Sequence, residues 1–282
     1  MQAVLNVPEV TVGLDLGDRK SALCRLDASG KVVEHKVIST TAAALGTWFG
    51  GLPRARVILE ASPHSPWVSR LLSEWGHESI VANPAALRRR NHLKTDRVDA
   101  EALARWGRID PTVLAPIQHR ELQAHADLEL LKARDALVRS RTLLINHVRG
   151  SVQSFGVRLS ACSSPSFART VEREIPATLR PALNPLLELV ASMTQQIRAY
   201  DREIEQLNEH RYPETQLLQQ VAGVGPVTSL CYAPVIEDPA RFPDSRSVGA
   251  YLGLVPRKED SSAYRFVLIR FPSLVLGDCD GP

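Results

Sequence analysis

At 282 residues, with 44% hydrophobic and 23% charged side chains and a net charge of +3, the chain can bury one large or two ordinary cores and is not of disordered composition. It carries no basic-then-apolar leader and no apolar run near 18 residues, so a soluble cytoplasmic protein with no membrane association is expected. The four cysteines, Cys24, Cys162, Cys231 and Cys279, show no C-x-x-C spacing, so neither a zinc motif nor a disulfide framework is indicated.

Taken in order, the chain opens with three short β-prone runs: Val10–Gly17, Ser21–Asp27 and Lys31–Val37. Asp18-Arg19-Lys20 and Ala28-Ser29-Gly30 separate them, the spacing of an antiparallel meander. A helix over Thr41–Phe49, a buried strand over Arg56–Glu60, an amphipathic helix over Pro66–Trp75 and a strand over Glu78–Ala82 follow. Three hairpin strands and then alternating helix and strand describe a ribonuclease-H-like α/β fold. In that fold the first and fourth strands are central neighbours about 4.8 Å apart.

The next helix, from Lys94-Thr95-Asp96-Arg97-Val98-Asp99 onward, carries two carboxylates three residues apart. Asp96 and Asp99 therefore lean over one helix face, about 5–6 Å apart at Cβ. Acids also collect at helix starts simply to complement the dipole. Likewise, Asp15 alone could be a turn-facing strand residue and Glu60 a partner for the following helix start. Together, however, the predicted fold holds Asp15 and Glu60 side by side and offers Asp96 and Asp99 from across them. Four such carboxylates repel one another unless cations compensate, and oxygen-only ligands point to Mg2+ or Mn2+. Directly upstream, Arg88-Arg89-Arg90 and Lys94 read either as a solvated face or as contacts to a phosphate-bearing substrate.

The runs Val12-Gly13-Leu14-Asp15-Leu16-Gly17, Leu59-Glu60-Ala61-Ser62, Gly76-His77-Glu78, Ala82-Asn83-Pro84 and Lys94-Thr95-Asp96-Arg97-Val98-Asp99-Ala100 resemble the DEDD transposases of the insertion sequence one-hundred-and-ten family, bridge-RNA-guided recombinases. The resemblance covers the chain to about Asp260. It implies a RuvC-like catalytic domain over 1–115, in which Asp15, Glu60, Asp96 and Asp99 bind Mg2+ (or Mn2+). It further implies DNA as substrate, a structured noncoding guide RNA made by the element, and a homodimer or tetramer. His64 and His77 beside these motifs read as structural hydrogen-bonders.

From Arg120 to Phe155 the sequence is helical, with Leu131, Val138, Ile145 and Val152 recurring every seven residues. A second helix carries Leu183, Leu186, Val190, Met193, Ile197, Tyr200, Ile204 and Leu207 at alternating three-and-four spacing, the seam of a coiled coil. A coiled-coil helical hairpin over 116–213 is therefore expected, with a loop and short helix across Ser151–Pro185. It is either a spacer or a nucleic-acid contact through Arg134, Arg139, Arg141, His147 and Arg149.

Leu217–Leu230 resembles half of a helix-hairpin-helix element, in which Gly223 and Gly225 expose amides at the start of a helix opened by Pro226 and suited to a DNA phosphate. A plain packing turn fits the same residues. The segment 214–262 further resembles the partial carboxyl-terminal transposase domain, with Ser261 matching the family's nucleophile and Ser262 as the fallback. From Ala263 to Pro282 the family pattern stops, and the tail reads as frameshifted or truncated. The fold class expected is thus α/β plus all-α. Two rivals remain at this stage: a catalytically inactive nucleic-acid-binding remnant, and an actin-like kinase or ATPase, because Gly13-Leu14-Asp15-Leu16-Gly17 also opens that fold.

Overall fold

The computed structural model describes residues 9–84 and 96–252. The expectations placed on Arg88, Arg89, Arg90, Lys94, Ser261, Ser262 and the tail lie outside those residues. The chain divides into two compact units, 1–119 and 120–282.

The first unit is a five-stranded mixed sheet with helices on both faces, compatible with a ribonuclease-H-like domain. Strands β1 (Thr11–Asp15), β2 (Lys20–Leu26) and β3 (Val32–Ser39) form the expected antiparallel meander. Helix α1 (Ala42–Phe49), strand β4 (Arg56–Glu60), helix α2 (Ser65–Glu74), strand β5 (Glu78–Ala82) and helix α3 (Asp96–Ile109) follow. The strand order is β3-β2-β1-β4-β5, with β1, β4 and β5 mutually parallel.

Strand alternation divides the core into two layers. Val12 and Leu14 of β1, Leu23 of β2 and Val57 and Leu59 of β4 pack with Leu45 and Phe49 of α1 and Val68 and Leu72 of α2. On the opposite face Ala22, Cys24 and Leu26 meet Ala100 and Ala104 of α3, while Ile58 and Ala82 meet Leu103. Strand β4 is apolar on both sides because both sides are covered.

Local chemistry sets the turns. Asp27 Oδ1 accepts the backbone N–H of Ser29 at 2.9 Å and of Lys31 at 3.0 Å, closing the β2–β3 hairpin, while Gly30 takes the left-handed φ of 82° that the turn needs. Thr41 Oγ1 caps α1 by accepting from Ala44 N at 3.3 Å. Helix α2 ends where Gly76 adopts φ 83° and His77 N donates to Leu72 O at 2.9 Å, a left-handed C-terminal cap that turns the chain into β5.

The second unit is helical among its described residues. Two long helices, α4 (Leu122–Gln153) and α6 (Arg180–His210), pack against each other. Short helices α5 (Phe167–Val171), α7 (Thr215–Leu218), α8 (Pro226–Ile236) and α9 (Ser245–Tyr251) complete it. Ile145, Val148 and Val152 of α4 join Leu183, Leu187 and Val190 of α6, with Phe167, Val171 and Ile175 of the connecting segment filling the same cluster. A separate cluster unites Leu128 and Leu131 of α4 with Ile204 of α6 and Leu230 and Val235 of α8.

Between and beside these clusters lie buried and half-buried polar side chains. Arg141 Nη1 donates to Thr194 Oγ1 at 3.3 Å, and Arg134 Nε to Asp201 Oδ1 at 2.6 Å. Burial, together with the nearby positive charge of Arg134, pulls the Arg141 guanidinium below its ordinary pKa. Buried Asp127 receives Arg211 Nη1 on both oxygens, at 2.6 and 2.9 Å, together with the Tyr212 hydroxyl at 2.8 Å and Gln123 Nε2 at 3.1 Å.

Candidate functional site

The register of β1 against β4 places two acids level with each other. Thr11 through Leu14 pair with Arg56 through Leu59, so the next residue on each strand, Asp15 and Glu60, occupies the carboxyl end of its strand beside the other. Both follow a residue that points into the α1/α2 layer, Leu14 and Leu59 respectively. By alternation, both acids face the α3 side. Both are half-buried.

Helix α3 reaches that side without intervening side chains. A Cβ on Gly13 would lie 1.9 Å from the carbonyl oxygen of Ala100 and 2.6 Å from Ala104 N, so the helix backbone rests on the strand and any larger residue would displace it. Further along, a Cβ on Gly107 would meet Ile58 Cγ1 at 2.1 Å. Arg56 Nη1 donates to Gly107 O at 3.2 Å, and Arg108 Nη1 to Thr11 Oγ1 at 3.4 Å. As α3 advances from Ala100 to Arg108 it thus passes from Gly13 back toward Thr11 and Arg56. Its amino-terminal end consequently points toward the carboxyl ends of β1 and β4.

Asp96 and Asp99 lie in that first turn. Asp99 immediately precedes Ala100, and Asp96 sits about 4.5 Å further along the axis at the helical rise of about 1.5 Å per residue. Asp96 is exposed and Asp99 half-buried. The sheet and helix therefore bring the four acidic positions of the sequence motif to one end of one face, although among the described residues no three of their carboxylates gather within 4.8 Å of one another. The donor set is oxygen-only and acidic, which fits magnesium or manganese better than zinc. The amino terminus of α3 contributes partial positive charge that tempers the repulsion.

Two neighbours of this end were not singled out from sequence as functional. His64 Nε2 lies 3.7 Å from Asp18 Oδ1, joining the loops that follow β4 and β1. Trp67 Nε1 donates to His64 Nδ1 at 3.1 Å. Asp18 in the β1–β2 turn and the histidine soon after Glu60 were the available signal, but only the parallel pairing of β1 with β4 makes their loops adjacent. His77 is a buried structural group: its Nδ1 accepts from Ala55 N at 3.2 Å, and its Nε2 meets Phe49 O at 3.3 Å.

In the second unit, Gly225 precedes α8 and Pro226 opens it, as the sequence pattern predicts. The left-handed turn falls at Gly223, with φ 88°, whereas Gly225 is extended with φ −100°. A Cβ at either glycine would meet nothing within 4 Å, so both present backbone to open space. Among the described residues, no helix is long and apolar enough to cross a membrane.

Comparison with known proteins adds the family context. Residues 12–156 match the DEDD IS110 family model, described as a transposase, and residues 215–270 match a second model, described as transposase of the IS116/IS110/IS902 family. The chain is 28% identical over 259 residues to the "Probable family 20 transposase" of Pseudomonas aeruginosa, covering 89% of this chain and 75% of that protein. It is 26% identical over 257 residues to the transposase for insertion sequence element IS1111A of Coxiella burnetii, covering 89% and 69%. A third relative, the transposase for insertion sequence element IS1328 of Yersinia enterocolitica, is 27% identical over 260 residues, covering 89% and 75%.

Proposed function

The chain belongs to the IS110 family of transposases, and from that premise we propose that its first unit is a divalent-metal-dependent strand-cleaving module whose ligands are Asp15, Glu60, Asp96 and Asp99. The observation that carries this reading is the level pairing of Asp15 and Glu60 on adjacent parallel strands, under a helix that runs amino-terminus-first toward them. Magnesium held there would neutralise phosphate charge and lower the pKa of an attacking group.

The remaining steps belong to the chain's own residues. Ser261 Oγ attacks a DNA phosphorus, forming a phosphoserine link and releasing a deoxyribose hydroxyl; Ser262 is the alternative nucleophile. Arg88, Arg89, Arg90 and Lys94 hold the phosphate backbone, and Gly223 and Gly225 offer backbone amides to a second stretch of it. In this reading the long helices α4 and α6 act as a coiled-coil arm that brings two or four copies together on DNA, so that one copy's serine meets another's carboxylates. A structured noncoding RNA supplies the choice of target, as the sequence resemblance implies.

The test incubates the full chain with magnesium, labelled element-end DNA and the candidate RNA. The expected product is a denaturation-resistant protein–DNA adduct, retained in Ser262→Ala and lost in Ser261→Ala and Asp15→Ala. Nucleic-acid binding with no adduct under any condition would instead identify a binding remnant. An actin-like phosphotransferase needs a second sheet repeating the first; the described residues hold one sheet, and the second unit is helical where described.

A further inference from the structure

A second cluster lies on the same face of the sheet, one strand away from Asp15. Cys24 of β2 is the register partner of Gly13 on one side and of His35 of β3 on the other. Being directly opposite on antiparallel strands, Cys24 and His35 project to the same face, about 5 Å apart at Cβ, and that face is the one covered by α3. Glu101 of α3 closes the group. One ligand atom from each of Cys24, His35 and Glu101 lies within 4.8 Å of the other two, and among the described residues this trio is the set with that property.

Three further observations bear on what the trio does. His35 Nε2 stands 3.3 Å from Glu101 Oε2. A charge-assisted hydrogen bond would run nearer 2.8 Å, whereas two ligands about 2.0–2.1 Å from a tetrahedral ion stand about 3.3–3.4 Å apart. The other carboxylate oxygen, Glu101 Oε1, is held by Arg105, whose Nη2 and Nε lie at 2.7 and 2.8 Å. That grip orients Oε2 toward the histidine, as residues supporting metal ligands do. Finally, His35 Nδ1 is buried and has no hydrogen-bond partner among the described residues, so among them the ring is held through Nε2 alone.

We propose that Cys24, His35 and Glu101 form a binding site for a thiophilic divalent ion of the zinc type, distinct from the carboxylate site in its mixed sulfur, nitrogen and oxygen donors. The Cys24 thiol is fully buried and lies beside the Glu101 carboxylate; burial first, and then that negative charge, push it up to about 11. Coordination replaces the thiol proton, which leaves to solvent. The ion would tie the outer hairpin strand β3 to α3 just beyond Asp99, fixing the helix whose first turn carries the paired aspartates.

The experiment titrates cobalt(II), a spectroscopic stand-in for zinc, into the full chain with magnesium in large excess to occupy hard oxygen sites. One equivalent should produce the near-ultraviolet thiolate-to-cobalt band with visible bands of tetrahedral intensity, and zinc should bleach both. Cys24→Ser should remove the thiolate band, Glu101→Gln should weaken cobalt binding at least tenfold, and Asp15→Asn should leave the spectrum intact. Absence of a thiolate band in the unaltered chain overturns the proposal. So does a band surviving Cys24→Ser, which would place the thiolate at another cysteine. Should Cys24→Ser fail to fold, Glu101→Gln decides: it alters a partly exposed helix residue, and unchanged affinity there sinks the site.

Discussion

Asp127 in the helical unit and the motif acids in the α/β unit sit in different surroundings. In the helical unit, Asp127 is buried and ringed by the chain's own donors: Arg211 on both oxygens, the Tyr212 hydroxyl and Gln123. In the α/β unit, Asp15 and Glu60 are half-buried at strand ends, and Asp96 stands exposed on the first turn of α3. A carboxylate compensated by fixed cations and donors holds a fold together. Under the proposed function, one brought beside other carboxylate positions at the rim of a sheet is a candidate ligand for a cation. The difference teaches that position in the layers, and not residue type, separates a structural acid from a candidate ligand.

Four measurements would sharpen or break that contrast. The largest effect is expected from Gly13→Ala, which puts a methyl 1.9 Å from Ala100 O. Displacing α3 should cost about 3 kcal/mol of stability in urea unfolding and abolish adduct formation with it. Asp15→Asn should separate the two properties: adduct formation falls by at least roughly 100-fold, more than loss of a residue merely supporting a ligand, while unfolding shifts by less than about 1 kcal/mol. A large stability loss there would move Asp15 into the structural class.

Asp127→Ala should do the reverse. It leaves Arg211 and Tyr212 without their acceptor and should cost about 2 kcal/mol. This is below the roughly 3–5 kcal/mol for a fully buried pair, because the Arg211 side chain is 44% exposed and rehydrates. The smallest effect is an alkaline one. Burial, with a contribution from Asp135, pushes the Cys231 thiol up to about 11. A raised folded-state pKa means the unfolded chain loses its proton first. Stability from this group is therefore complete below about pH 9 and declines as pH rises from there to about 11. Cys231→Ser should flatten that part of the pH–stability curve measured by thermal unfolding.

How far the sequence could be read differed between the units for a physical reason. Short β-prone runs bounded by turn residues mark Val10–Gly17, Arg56–Glu60 and Glu78–Ala82 as segments, and a meander followed by β-α-β predicts which strands meet. In the long helices the apolar stripe was legible, but its exact occupants were not. Leu187 and Thr194 are buried where Leu186 and Met193 were expected, and both expected residues are half-buried. A helical stripe spans about 100°, so adjacent positions compete for its centre. Arg141 takes a buried place through Thr194, 53 residues away, which no local pattern announces.

By itself, then, the amino-acid order determined the strands, the helices and the acidic residue types at their ends, because these follow from local periodicity and from residue chemistry. Tertiary structure alone decided that Gly13 lets α3 lie on β1, that the helix runs amino-terminus-first toward Asp15 and Glu60, and that Cys24, His35 and Glu101 meet. Each of those outcomes joins residues from different elements through backbone approach and strand register. Such approaches depend on how layers pack, and packing is settled by the whole unit at once.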